Sequence, residues 1–455
     1  VTVTSGRTII VGLGITGLSC VRYFVRIAGE VEKKGERLDL TVVDTRSSPP
    51  GLDTLRSEHP DIPVQTGVTR IDFTGVARVV VSPGVALSDE ILAGCPADVQ
   101  ISSDIDLFCE TATVPIVAVT GTNGKSTVTS LTGHLLNAAG IRAVVGGNLG
   151  EAALDLLLEP ADVYVLELSS FQLERLASHH FAAATILNVS EDHLDRHGDM
   201  AAYVSAKQRI YRDCDLAVAH RGEPATYPDS NCPLTTFGAD APAAGEWGIV
   251  SAAGRRSLAC GDEAIVASRD LPIAGAHNEL NVLAAMALAH ALGAATESMA
   301  RAVGSFEGLA HRCQRVAELD GVTFINDSKA TNVGATCAAL IGLGEISERD
   351  GPHIVLIAGG DGKGANFGPL ADVVGRFAKA VVLIGRDGSL LGEALGDRVT
   401  RHFASTMAEA VPLAAELAER GDLVLLSPAC ASFDMYENFS ARGDDFSRCV
   451  EALAA

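Results

Sequence analysis

Two glycine-rich turns carry residues whose types and spacing suit phosphate chemistry. The more specific is Thr120-Gly121-Thr122-Asn123-Gly124-Lys125-Ser126-Thr127, which follows an apolar run and opens a helix-like stretch. A turn of this kind aims backbone N–H groups at phosphates, Lys125 would reach the β- and γ-phosphates, and the Ser126 hydroxyl would face Mg²⁺. It departs from the usual P-loop spacing, because Val119 stands where the first glycine belongs. The second turn is Gly12-Leu13-Gly14-Ile15-Thr16-Gly17, with Asp44 closing the next strand-like run. That is the setting of a dinucleotide fingerprint, whose glycines let backbone N–H groups approach a pyrophosphate at a helix end. Three readings of it stay open from these residues: NAD(P), another nucleotide, or a tight turn without a ligand.

A metal partner for a triphosphate should come from neighbouring strand ends. Glu167 closes the run Val163–Leu168 beside Ser169 and Ser170, and His193 lies in Asn188-Val189-Ser190-Glu191-Asp192-His193-Leu194-Asp195, past the run Ala184–Leu187. Singly, one would read as a capping carboxylate and the other as a loop histidine. At successive strand ends after a phosphate loop, both become candidate metal partners.

The elements that must position these residues alternate between short apolar runs and longer helix-like stretches, which predicts an α/β protein with parallel sheets. Residues 1–103 open with a strand at Thr8–Val11 and a helix at Ile15–Ala28. A charged segment, Glu30–Arg37, leads to strand Leu40–Val43, and a later strand is expected at Val79–Val81. Residues 104–308 hold strands at Ile116–Val119, Val163–Leu168 and Ala184–Leu187, a helix at Lys125–Ala139, and a buried helix at Glu279–Leu292. Between Pro224 and Val266 the pattern weakens into a small β excursion. Residues 309–455 repeat the alternation, with strands at Val322–Ile325, Ile354–Ala358, Val381–Ile384 and Leu423–Leu426. In such a doubly wound sheet, ligands sit at the C-terminal strand ends.

Composition bounds the partners. A chain of 455 residues is too long for one compact core. With 35 basic against 57 acidic residues, the net charge of −22 argues against general nucleic-acid binding. No apolar run reaches the roughly 18 residues of a membrane span. The first residues show no basic segment leading into a long apolar core, which predicts no secretion signal. Ten cysteines without a C-x-x-C pair suit reduced thiols in a cytoplasmic enzyme better than a disulfide framework or zinc site.

With these pieces in order the chain resembles the Mur ligases over nearly its whole length. The group is suggested by Gly121 to Thr127, by Asn278 and Asn281 after His277, and by Leu309-Ala310-His311-Arg312. Its D-glutamate-adding members are suggested by Glu167-Leu168-Ser169-Ser170-Phe171-Gln172-Leu173, Asn326-Asp327-Ser328-Lys329-Ala330-Thr331-Asn332 and Ser427-Pro428-Ala429-Cys430-Ala431-Ser432. The Asp-Asn-Pro-Arg expected of the diaminopimelate-adding relatives is absent.

The resemblance implies three domains: a Rossmann-like one for a UDP-sugar, a central P-loop one for ATP, and a Rossmann-like one that binds the amino acid and closes over ATP. It assigns Ile15, Thr16, Asp44, Thr45, Arg46, Ser82, Gly84 and Asn148 to the UDP substrate. It places Asn281, Arg312 and Asp327 with Gly121 to Thr127 around ATP, and Ser126, Glu167 and His193 around two Mg²⁺ ions. Lys207, read alone as a solvated helix lysine, matches a lysine that is carbamylated in this family. Lys329, Thr331, Lys363, Ser432, Phe433 and Phe439 match positions near the incoming amino acid. Phe433 stands where leucine is often found, and Cys313-Gln314 stand where Phe-Glu can occur.

The implied reaction adds D-glutamate to UDP-N-acetylmuramoyl-L-alanine through an acyl phosphate, with Lys125, His193 and Lys207 as its catalytic residues, in a monomer. Two rivals are an NAD(P)-dependent oxidoreductase built on Gly12 to Gly17 and a nucleotide-sensing switch built on the P-loop. The first leaves Gly121 to Thr127 unexplained, and the second leaves the first glycine turn and the third block unexplained.

Overall fold

Apolar runs ending in glycine form strands covered on both faces, as parallel sheets require. Ile116–Thr120 and Ile354–Gly359 are buried at every position. The computed structural model describes residues 6–33, 39–252, 254–273, 275–346 and 351–454. Of the charged segment Glu30–Arg37, residues 34–37 lie outside them.

The first sheet has five parallel strands in the order Val64–Thr66, Asp39–Asp44, Arg7–Val11, Val76–Val81, Gln100–Ser102. The chain reverses direction across the sheet at Arg7–Val11, so its glycine turn opens at a topological switch point. A Cβ at Gly17 would lie 2.0 Å from the Gly12 carbonyl oxygen, so only glycine lets helix Ile15–Lys33 start this close to the strand.

The second sheet has nine strands. Ala143–Gly147, Val163–Glu167, Ile116–Thr120, Ala183–Ile186, Ala217–His220 and Leu234–Phe237 run parallel in that order. The expected β excursion is not a separate unit. Trp247–Ala252, Arg255–Cys260 and Glu263–Ala267 extend the same sheet, the last two pairings antiparallel.

The third sheet orders Gln314–Leu319, Val322–Asn326, Leu423–Leu426, Ile354–Gly359, Ala378–Ile384 and Thr400–Phe403, with only the first pair antiparallel. One apolar core joins the first two sheets: Leu13, Val21 and Phe24 pack in the same cluster as Ile105, Phe108 and Leu166. The third sheet has its own cores on its two faces. No described helix is long and apolar enough to cross a membrane.

Candidate active site

The first cleft lies beyond the C-terminal strand ends of the first sheet. Ile15, Thr16, Asp44, Thr45, Arg46, Ser82, Gly84 and Asn148 all line it, together with Asp89 and Gln172. Asp44 does not stand ready for a ribose. Its Oδ2 accepts the Leu13 N–H at 2.7 Å and Arg46 Nη2 at 2.7 Å, while Oδ1 accepts the backbone N–H and Nε of Arg46 at 2.8 and 2.9 Å. Burial alone would raise its pKa, but these donors outweigh burial and hold the carboxyl below its usual range. The acid that a nicotinamide dinucleotide would need is therefore engaged in fixing Arg46, and the NAD(P) reading loses its recognition element.

At the second turn, strand Ile116–Thr120 ends and helix Lys125–Ala138 begins behind Gly124, whose φ is 81°. Asn188, past the adjacent strand, braces the loop: its Oδ1 accepts the Asn123 N–H at 2.8 Å and its Nδ2 donates to the Asn123 carbonyl at 3.0 Å. Lys125 Nζ donates to the carbonyls of Gly121 and Thr122 at 3.0 and 2.8 Å. Lys207 Nζ donates to the same Gly121 oxygen at 2.9 Å.

The solvated-helix reading of Lys207 fails, because only 1% of the residue is exposed. Its ammonium lies 4.5 Å from the centre of the Tyr203 ring. Burial first, and then the Lys125 charge, push its pKa well below the ordinary lysine value, against opposing pulls from Asp192 and Glu167. A lysine in this setting gives up its proton more easily than a solvated one, and a deprotonated amine is a nucleophile.

Glu167 ends the strand next to the phosphate loop and is 3% exposed. Asn148 Nδ2 donates to its Oε1 at 2.7 Å, while Oε2 is buried with no hydrogen-bond partner among the described residues. A buried, unsatisfied carboxylate oxygen is costly unless something positive meets it. His193 sits with φ 55° at the start of a one-turn helix, its ring 4.8 Å from that of Phe171. Among the described residues no three His, Cys, Asp or Glu side chains form a metal cage. Mg²⁺ is usually held by one or two protein groups and by phosphate oxygens.

The third sheet closes over this loop. Arg312 Nη2 donates to Ser126 Oγ at 2.6 Å, and Asn332 Nδ2 reaches Asn123 Oδ1 at 3.3 Å and Asp192 Oδ2 at 3.4 Å. Arg312, Asp327 and Lys329 thereby share a cleft with Asn123, Gly124, Thr127, Asn278 and Asn281. Burial pushes the Asp327 carboxyl up to about 7 despite hydrogen bonds from Ser427 Oγ and the Cys313 N–H. Lys329 is lowered to about 8 by burial and by the charges of Arg312 and Lys125, and it lies 4.1 Å from the Phe439 ring centre. Lys363 lies 5.9 Å from the Phe433 ring centre. Its loop is bridged to Ser432's by paired backbone hydrogen bonds between Asp361 and Ala431. Thr331 sits between Lys329 and Asn332 on the segment that makes these contacts.

Three family descriptions match in chain order: the N-terminal domain of a Mur ligase group over residues 6–101, the Mur ligase middle domain over 119–289, and the Mur ligase glutamate ligase domain over 311–430. The UDP-N-acetylmuramoylalanine–D-glutamate ligase of Marinobacter nauticus is 46% identical over 100% of both chains. That of Pseudomonas aeruginosa is 48% identical over 98% of each. The chain belongs to the Mur ligases. Among solved structures, a UDP-N-acetylmuramate-alanine ligase from Thermotoga maritima shares the fold across 99% of both chains, with TM-score 0.60 at 21% identity. A pseudomurein peptide ligase from Methanothermus fervidus covers 98% of this chain and 100% of its own, with TM-score 0.61 at 17% identity.

Mur ligases are ATP-dependent, amide-bond-forming enzymes that use Mg²⁺. The orphan oxygen of Glu167, the Ser126 hydroxyl and the neighbouring phosphate loop fit that ion. Several residues that shape this Mur ligase site escape sequence reasoning. Tyr203 covers Lys207 and meets the Thr122 hydroxyl at 3.1 Å, and burial raises its phenol to about 12. Arg442 is 1% exposed and donates to Ser328 and to the carbonyls of Cys430 and Ala431, tying the Lys329 loop to the Ser432 loop. A buried arginine inside a polar stretch gives no local signal; only the fold shows what it holds.

Proposed function

We propose that this Mur ligase joins D-glutamate to UDP-N-acetylmuramoyl-L-alanine, using ATP to activate the alanyl carboxylate. Full-length identity near half to two ligases of that name supports the reading. The geometry that carries it is Asn148: it lines the first cleft and donates to Glu167 at the phosphate loop. One substrate can thus reach from a nucleotide cleft to a phosphoryl-transfer site.

A carboxylate is a poor electrophile for an amine, so it must first become an acyl phosphate, which the neutral amine of D-glutamate attacks with loss of phosphate. The first domain, residues 1–103, holds the UDP moiety through Ile15, Thr16, Thr45, Arg46, Ser82 and Gly84, with Asp44 fixing Arg46. The second, residues 104–308, cradles the triphosphate with Gly121 to Thr127 and packs Asn281 near the base. Lys125 leaves its two carbonyl partners to neutralise phosphate charge, a contact that acts most strongly in the transition state. The third domain, residues 309–455, brings Arg312 and Asp327 to the nucleotide and Lys329, Thr331, Lys363, Ser432, Phe433 and Phe439 to the amino acid. Ser126 and Glu167 would hold one Mg²⁺, and His193 and a carbamylated Lys207 a second, and these ions would stabilise charge on the transferring group. The reading places the enzyme in the cytoplasm as a monomer.

A phosphate-release assay across UDP-muramoyl precursors and D-amino acids tests this. Release should require UDP-N-acetylmuramoyl-L-alanine and D-glutamate together, and release with another pair would overturn it.

A further inference from the structure

The two segments of the second sheet that end in candidate metal partners each continue into an arginine that reaches back to the first sheet. Arg175 follows the short helix Ser170–Leu173 after Glu167, and Arg196 lies in Leu194–His197 after His193. Arg175 Nη1 donates to the carbonyls of Val81 and Ser82 at 3.1 and 3.0 Å, and its Nη2 donates to the Val85 carbonyl. Arg196 Nη2 donates to that same Val85 oxygen at 3.2 Å, while Glu174 Oε2 accepts from its Nε and from the same Nη2, both at 3.3 Å. Two guanidinium groups from one sheet therefore grip one turn of the other. That turn is closed by the Val85 N–H to the Ser82 carbonyl at 3.0 Å, and it lines the first cleft through Ser82 and Gly84.

Arg175 is 8% exposed, and no carboxylate accepts a hydrogen bond from it among the described contacts. Burial lowers its pKa, and its Nε has no hydrogen-bond partner among the described residues. An apolar side chain would fill the space at a smaller desolvation cost. What the arginine adds is direction, because a planar fork fixes several carbonyls relative to its own backbone. The shared apolar core sets the gross juxtaposition of the two sheets, and the fork sets the register of one turn.

We infer that Arg175, assisted by Arg196, is a positioning bracket that fixes the distance between the UDP cleft and the phosphoryl-transfer site. It serves a substrate that spans both, and it does not create the UDP cleft itself. The inference rests on the proposed function, since it needs the first cleft to take UDP. UDP alone occupies only the first cleft, whereas UDP-N-acetylmuramoyl-L-alanine must also place its carboxylate at the phosphate loop. Misplacing a reacting group by about 1 Å can cost on the order of a hundredfold in rate.

The test is calorimetric titration of UDP beside steady-state kinetics with the full substrate, on wild type, Arg175→Met and Arg196→Gln. In Arg175→Met the UDP dissociation constant should stay within about twofold, kcat/KM for the full substrate should fall at least about tenfold, and KM for ATP should hold. Arg196→Gln, at a less buried position, should show the same split to a smaller extent and carries the test should Arg175→Met not fold. Parallel loss of UDP affinity would reduce the arginines to local supports of the cleft and overturn the bracket, as would unchanged kinetics. Wild type that ignores UDP overturns the underlying substrate reading instead, a result distinct from either.

Discussion

Asn148 Nδ2 stands 2.7 Å from Glu167 Oε1, so the amide that faces the first cleft is fastened to the carboxylate beside the phosphate loop. One oxygen of Glu167 orients Asn148, and the other is buried without a hydrogen-bond partner among the described residues. Asn148→Asp would set a second carboxylate against the buried Glu167, and like charges disfavour both ionised forms. A Mg²⁺ titration of activity should show a shifted requirement and kcat lowered about a hundredfold; a wild-type Mg²⁺ profile would separate Asn148 from the metal.

Lys125→Ala should leave the fold intact and remove catalysis. The lysine now bonds only carbonyls of its own loop, so its loss breaks no contact between sheets. Losing a charge-assisted phosphate contact should cost on the order of 3 kcal/mol, about a hundredfold in rate. Circular dichroism together with phosphate release decides this, and activity within a few-fold of wild type rules out the phosphate role.

Lys207→Ala should be inactive and partly restored by acetate, which supplies the missing anion. Lys207→Arg should remain inactive, because guanidinium cannot become anionic. Full activity in the arginine variant would leave Lys207 as a buried structural cation.

Lys363→Ala should raise KM for D-glutamate strongly and leave KM for ATP nearly unchanged. Its loop lies against the Ser432 loop through the Asp361–Ala431 pairing, and a carboxylate left unpaired in a closed cleft is costly. An unchanged glutamate KM removes Lys363 from the amino-acid site.

Asp327 gives a pH prediction. Its folded pKa, about 7, lies above the ordinary 3.8. The native state therefore binds this proton more tightly than the unfolded chain does. That contribution to stability is complete below about pH 4 and is lost as pH rises through about 7. Asp327→Asn should flatten this part of the profile, worth a few kcal/mol at most. Denaturant unfolding of ligand-free protein at pH 4.5 and 7.5 measures it, and identical pH dependence in both proteins would refute the shift.

Strands buried on both faces were legible because their residues are continuous apolar runs, as at Ile354–Gly359. The edges were not. Gln314–Leu319 and Thr400–Phe403 are exposed or half-buried at every position and mix charged with apolar residues, so no strand is assigned there from sequence. The β excursion was visible, but its place at the far edge of the nucleotide sheet was not, since parallel pairing there rests on Phe237 against Trp247 alone. The eight residues that the family resemblance assigns to a first nucleotide line one cleft, although only the first glycine turn and Asp44 carried a local signal for it. Asp44 shows the limit: its spacing marked it as an acid at a nucleotide, while its partners are Leu13 and Arg46. Arg175 and Arg442 lay beyond reach for a similar reason, as their partners are carbonyls that only tertiary contact brings near.

The burial of Lys207 bears on a gas. A carbamate forms when an uncharged amine captures dissolved carbon dioxide, and it reverts when water or a proton reaches it. If Lys207 carries the proposed carbamate, then with 1% of its surface exposed and Tyr203 over its amino group it would react once and then be sealed. Loading would follow the bicarbonate content of the medium in which the chain folds, and unloading would wait for the pocket to open.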